Sequence, residues 1–253
     1  MGNVTSKEPM VFMYHGVCAN NKDIPLNREV GADIYDVSME NFTNQMEFLK
    51  KSHYTVDALE KRPNVVLTFD DGEMNNFCNV LKILNKFDFP AYFFITVNRI
   101  GRVGYMGWDE LRILRDHGML IGSHGLNHEV MVRLTNMEIE KELYDSKSIL
   151  EDNLKVNVDY FSIPRGFINR KVIDVARARY KKIFVSELSA EKEGCMARVA
   201  VKKSWSLPRF EQALLGKIPL QESGAAFLKN IFKKTVGAGG YTQMRDLILR
   251  SKG

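Results

Sequence analysis

Two carboxylates and two imidazoles are the residues of this chain best suited to chemistry. Asp70 and Asp71 lie in the run Thr68-Phe69-Asp70-Asp71-Gly72, and His124 and His128 in the run Ser123-His124-Gly125-Leu126-Asn127-His128. Two neutral imidazole nitrogens and one carboxylate oxygen form a facial ligand set for a divalent cation, with positions left open for water. A second carboxylate kept off the cation can take a proton from that water, so the four residues supply the parts of a metal-assisted hydrolase. Each pair alone has a plainer meaning. Asp-Asp-Gly is a frequent turn with solvated carboxylates, and histidines four apart can be a surface pair.

The element before each pair ties them together. Val65-Val66-Leu67-Thr68-Phe69 has the apolar, branched character of a buried parallel strand and ends at Asp70, while Met119-Leu120-Ile121-Gly122-Ser123 ends at His124. In parallel α/β sheets, sites are built at the carboxyl ends of strands. Further strands are expected over Met10 to Tyr14, Ala91 to Thr96, Tyr160 to Ile163 and Lys182 to Val185. Helical periodicity runs over Met39 to Ser52, Asn75 to Lys86, Trp108 to His117, Asn136 to Asn153 and Asn169 to Arg179. Ser38 can cap the first of these helices, and Thr135 with Glu138 reads as a capping box for the fourth. The alternation implies an α/β fold around a largely parallel sheet.

With 253 residues and 45% hydrophobic content the chain can bury a large single core, which argues against disorder. A catalytic domain is expected over residues 1–210, with 211–253 a C-terminal helical extension packed on the same domain. The formal charge of +5 permits an anionic partner without requiring one, and no nucleic-acid partner is expected. Cys18, Cys78 and Cys195 are widely spaced and lack a C-x-x-C pairing, so neither a disulfide framework nor a thiolate metal site is suggested. No signal-like start or membrane-spanning run is present, so the expected location is cytoplasmic, or secreted or periplasmic where a leader has been removed. Two amphipathic stretches, Gln221 to Thr235 and Tyr241 to Arg250, carry Lys229, Lys233 and Lys234 among Phe227, Ile231 and Phe232. They read as helices covering the domain, with peripheral contact to a membrane surface as the alternative.

The two motifs resemble those of the polysaccharide deacetylase family, also called NodB-homology or carbohydrate esterase 4 proteins, whose patterns are T-F-D-D-G and H-[ST]-x-x-H. The resemblance extends from about Val11 to Arg209 and includes Gly107-Trp108-Asp109-Glu110-Leu111 ahead of the histidines. It implies a distorted (β/α) barrel with fewer than eight complete strands. It implies Asp70 as catalytic base and Asp71, His124 and His128 as ligands of one divalent metal, zinc first, with iron, cobalt or nickel as alternatives. Gly125 departs from the usual Ser or Thr. The third motif, R-x-x-P-Y-G in many members, is matched in part by Phe161-Ser162-Ile163-Pro164-Arg165-Gly166. There Pro164, Arg165 and Gly166 would border the substrate, with the Arg165 backbone N–H on the oxyanion. Arg165 and Arg209 are the candidates for the cation that orients Asp70.

No histidine follows His128 to act as the late general acid of many members. Met13-Tyr14-His15-Gly16-Val17 resembles the start of a circularly permuted branch that includes poly-N-acetylglucosamine deacetylases, which makes His15 the expected acid. Trp108, Tyr14 and Phe167 are candidate sugar-stacking rings, or core packing. The implied activity is removal of N-acetyl groups from an N-acetylated sugar, a surface polysaccharide or its precursor. The alternatives are a deformylase or other linear-amide hydrolase, and a catalytically silent carbohydrate-binding protein on the same barrel.

Overall fold

Period-two alternation along each strand sorts the side chains into an inner and an outer core. The computed structural model describes residues 8–26, 28–29, 31–186 and 194–217. Its strands in chain order are β1 (Met10–Tyr14), β2 (Val17–Cys18), β3 (Val37–Ser38), β4 (Val65–Phe69), β5 (Tyr92–Ile95), β6 (Leu120–Ser123), β7 (Tyr160–Ser162), β8 (Lys182–Val185), β9 (Met196–Ala197) and β10 (Val199–Ala200). The helices are α1 (Met39–Lys51), α2 (Leu81–Phe87), α3 (Trp108–Asp116), α4 (Asn136–Leu154), α5 (Arg170–Arg177) and α6 (Leu207–Leu214). The expected strands and helices alternate as read, with boundaries shifted by one or two residues except at α2, which starts six residues late, while β2, β3, β9, β10 and α6 are additional.

The main sheet runs β10-β1-β4-β5-β6-β7-β8-β9, and all of its pairings are parallel. β9 and β10 belong to one stretch of chain joined at Arg198. Met196 and Ala197 pair with β8 while Val199 and Ala200 pair with β1, so this split strand bridges both edges and closes the barrel. Six strands of three to five residues plus the split one make the expected barrel with fewer than eight complete strands.

Inward positions on the strands, Val11, Val66, Tyr92, Phe94, Tyr160 and Phe184, fill the barrel as one cluster. The alternate positions Phe12, Tyr14, Leu67, Phe69, Phe93, Ile121 and Phe161 face the helical ring and form the larger core. Gly122 is inward too, and a Cβ there would fall 2.5 Å from the Phe94 ring. Outside the barrel Tyr14, Phe69 and Phe93, aligned by strand register, stack at 5.3 and 4.9 Å. Tyr14 is fully buried and its hydroxyl donates to Gln45 at 2.8 Å, so it is core and not a sugar platform.

The helix starts follow their caps. Asn41 N donates to Ser38 Oγ at 3.1 Å, and Thr135 and Glu138 form the reciprocal box. One expected helix is interrupted: Asn76–Val80 is a π-turn leading into α2. The wider turn sets Asn75 and Asn79 on one side, where Asn75 Oδ1 accepts from Val17 N and Asn79 Nδ2 donates to Val17 O. α6 runs across residue 210, its Phe210 stacking on Phe12 at 4.5 Å. The amphipathic stretches beyond it lie outside the described residues. Among the described residues no helix is long and apolar enough to cross a membrane.

Candidate active site

Continuing the inward alternation past each strand end assembles the site. Val11 and Met13 lead to His15, Val66 and Thr68 to Asp70, Gly122 to His124, and Tyr160 to Ser162. Asp71 would face outward in a continuing strand. Its left-handed backbone, φ 75°, with Gly72 at φ 77°, turns the chain so that both carboxylates reach the mouth of the barrel. His128 at φ 62° and Arg165 at φ 62° adopt the same unfavourable region, so three functional candidates carry local strain held by the surrounding fold.

Asp71, His124 and His128 each offer a ligand atom, and these atoms lie within 4.8 Å of one another. Asp71 Oδ1 is 3.3 Å from His128 Nε2 and 3.8 Å from His124 Nε2. His124 Nδ1 lies 2.7 Å from the Ser162 carbonyl oxygen, which can only accept, so this nitrogen carries the proton and Nε2 offers a lone pair. Burial pushes His124 down to about 4, which keeps it neutral at pH 7. The donor set of two imidazoles and one carboxylate, with each Nε2 turned to the same carboxylate oxygen, fits a divalent cation of the zinc type.

Asp70 sits beside this triad, its Oδ2 3.8 Å from His124 Nε2. The guanidinium hydrogen-bonded to Asp70 is that of Arg198, a residue outside the expected pair Arg165 and Arg209. Arg198 Nη1 and Nη2 donate to the two Asp70 oxygens, each at 2.7 Å, and the same guanidinium reaches Ser162 Oγ at 2.7 Å and Thr68 Oγ1 at 3.1 Å. Burial alone would raise the Asp70 carboxyl. Arg198, the largest opposing influence, overrides it, and with the neighbouring imidazoles holds Asp70 well below the usual carboxylate range. Asp71 is also held low, burial being outweighed by His128, His15 and Arg99. Arg209 lies on α6 with its guanidinium 4.4 Å from the Trp205 ring, and it reaches the Lys217 carbonyl. Arg198 escaped the sequence reading because it joins two dipeptide strands. The only signal was a cation inside the short-chain apolar run Met196-Ala197-Arg198-Val199-Ala200-Val201.

His15 approaches from the strand next to that of Asp70, its Nε2 4.0 Å from Asp71 Oδ2 and its ring stacked on Tyr35 at 5.0 Å. A Cβ at Gly16 would stand 2.5 Å from Asp36 Oδ1, so the glycine lets that carboxylate lie close against the backbone. Pro164, Arg165 and Gly166 form a short turn after β7, and Pro164 packs against the histidine loop at Gly125. The loop needs no hydroxyl at Gly125. Glu142 of α4 supports it instead, accepting from Leu126 N at 2.9 Å, Asn127 N at 3.0 Å and Asn127 Nδ2 at 2.5 Å. Phe167 is 8% exposed, which leaves little of its ring for a sugar.

Residues 58–181 match the polysaccharide deacetylase family model. A peptidoglycan-N-acetylglucosamine deacetylase of Bacillus cereus is 29% identical over 124 residues, 48% of this chain and 56% of that protein. The chain spans about half the length of the curated relatives it matches. The same fold occurs in a polysaccharide deacetylase from Bacillus cereus, with a TM-score of 0.71, 24% identity, and coverage of 82% of this chain and 69% of that one. It also occurs in the Streptococcus pyogenes deacetylase PplD, with a TM-score of 0.72, 20% identity, and coverage of 81% and 97%. The matched segment carries both aspartates and both histidines of the barrel mouth, and residues 58–181 form a domain of the polysaccharide deacetylase family.

Proposed function

We propose that the chain is a metal-dependent de-N-acetylase that removes acetyl groups from an N-acetylated sugar of a polysaccharide or its precursor. One observation carries this reading: a charge-neutralised carboxylate, Asp70, and an imidazole, His15, flank the Asp71, His124 and His128 triad from neighbouring strands. The names of the relatives agree with it. One is a peptidoglycan-N-acetylglucosamine deacetylase, and PplD was solved in complex with acetate.

Asp71, His124 and His128 would hold the divalent cation, which supplies Lewis-acid polarisation of the amide carbonyl and lowers the pKa of water. Asp70 takes the proton of the attacking water, and its low affinity for protons keeps it ionised and ready at neutral pH. Arg198 turns the carboxylate so that Oδ2 faces His124. The C–O bond forms at the acetyl carbon, and the backbone N–H of Arg165 donates to the developing oxyanion, worth about 3 to 4 kcal/mol for one well-aimed donor. His15 gives its proton to the sugar nitrogen as the C–N bond breaks, releasing acetate and the amine. An amine leaves poorly unless protonated, so a base and an acid are both required.

The test is acetate release from N-acetylglucosamine oligomers by the zinc-loaded chain, with Asp70→Asn as control. Release is expected from the native chain, reduced by about 10²-fold or more in Asp70→Asn. A native chain that binds zinc yet releases no acyl group from any N-acylated sugar overturns the reading in favour of a carbohydrate-binding protein.

A further inference from the structure

The connection between β2 and β3, residues 19–36, reaches the site through Glu29, a residue the reaction above does not use. Glu29 Oε1 lies 2.8 Å from His128 Nδ1 and also accepts from Arg99 Nη2. Arg99 Nη1 in turn donates to Asp71 Oδ1 at 2.9 Å, and that oxygen is 3.3 Å from His128 Nε2. Glu29, His128, Asp71 and Arg99 therefore close a ring around two of the three candidate ligands. Resting on the metal-site reading above, we propose that Glu29 is a positioning residue that sets the affinity of the Asp71, His124 and His128 site for its divalent cation.

The physical argument starts from tautomers. A carboxylate can only accept, so Glu29 holds a proton on His128 Nδ1 and leaves Nε2, on the Asp71 side of the ring, as the nitrogen available to a cation. The adjacent negative charge also makes that imidazole a better donor to a cation. Arg99 links Glu29 to Asp71, and the Tyr105 ring, 5.3 Å from the guanidinium, backs it. Delivery of Glu29 is not left to a free loop. Its neighbour Arg28 is bonded to Asp36 Oδ1 at 2.7 Å and to Glu73 Oε1 at 2.9 Å, and Glu73 is fully buried two residues beyond Asp71. The same ion pairs tie the connection to the turn that carries the aspartates.

The experiment uses the full chain, stripped of metal and titrated with Zn²⁺ in competition with a chromophoric chelator. Glu29→Ala is expected to raise the Zn²⁺ Kd by about 10- to 100-fold, the range typical of lost outer-sphere partners of a ligand histidine, and Glu29→Gln by less. In the metal-free protein, ¹⁵N spectra should show His128 Nδ1 carrying a proton in the native chain and losing that preference in Glu29→Ala, a change that a merely structural role would not produce. Glu29→Gln, which keeps the shape and one acceptor, carries the test if Glu29→Ala does not fold. Unchanged Zn²⁺ affinity and an unchanged proton on His128 Nδ1 in the folded variants overturn the proposal. His124→Ala separates the two readings: if it also leaves Zn²⁺ binding intact, the metal site itself is wrong, whereas weakened binding there with none in the Glu29 variants overturns the role of Glu29 alone.

Discussion

Replacing Arg198 with methionine would test the hinge of the site. Arg198 and Asp70 are each 2% exposed, and the guanidinium meets both carboxylate oxygens at 2.7 Å. At an effective dielectric of about 20, charges about 4 Å apart attract by about 4 kcal/mol. Stripping one partner from a buried pair typically costs about 3 to 5 kcal/mol. In a chain of this size each kcal/mol moves Tm by about 2 to 4 °C, so Arg198→Met should melt on the order of 10 °C lower. Asp70→Asn strands the cation instead and should cost a similar amount. The double variant leaves neither charge, so its cost should fall short of the sum by about 3 kcal/mol. The pH dependence has a definite sign. A carboxyl held below its ordinary range contributes stability above that range and loses it as pH falls through the folded value. Without Arg198 the upward push of burial dominates, so the acid limb of kcat/KM moves to higher pH. Calorimetric melts of the four proteins and a pH–rate profile check both points. Costs that add to within about 0.5 kcal/mol, together with an unmoved acid limb, would refute the reasoning.

His15→Asn should retain its metal and lose about 10² to 10⁴ in kcat, and unaltered turnover with bound zinc would remove His15 from the reaction. In the metal-free protein, His124 titrates from about 4 when folded against 6.5 when unfolded, so the unfolded chain binds the extra proton between those values. Stability should therefore be full above pH 6.5 and fall by about 3 kcal/mol toward pH 4, with a flatter slope in His124→Gln measured by urea midpoints. Gly125→Ala places a Cβ at φ +80° and 3.3 Å from Glu142 Oε2, a change expected to cost about 1 kcal/mol or more, and an unchanged melting temperature would contradict it.

The strands were legible as continuous apolar runs, and so was the position of His15, Asp70 and His124 just past three of them. The division into inner and outer cores was not, because both faces of these strands are buried. In the structure the three share the inward parity of β1, β4 and β6, which is why they converge. Asp71 and His128 were legible as types but not as geometry, since each depends on a left-handed turn. What escaped detection shares one cause. Arg198 binds a carboxylate 128 positions away from a strand only two residues long on either side, and Glu29 sits on a loop and Arg99 at the end of a single 3-10 turn. Glu142 lies on a helix whose pattern reads as ordinary, and its inward carboxylate becomes meaningful only once the histidine loop is placed against it. Charge partners that meet across the fold leave no periodic trace. The π-turn at Asn76–Val80 was hidden because the helical spacing of Phe77, Val80, Leu81 and Leu84 runs through it unbroken.

The split strand that closes the barrel has a consequence for how the protein acquires its chemistry. Val199 and Ala200 pair with Phe12 and Met13, among the most distant contacts in sequence that the fold contains, and Arg198 stands at that seam. Asp70 therefore gains its counter-charge only when the last strand docks on the first. A nascent chain whose earlier strands have already paired still lacks an oriented base. Topologically remote closures of this kind form slowly. Orientation of Asp70 thus reports completion of the barrel, because its counter-charge arrives only with the final strand.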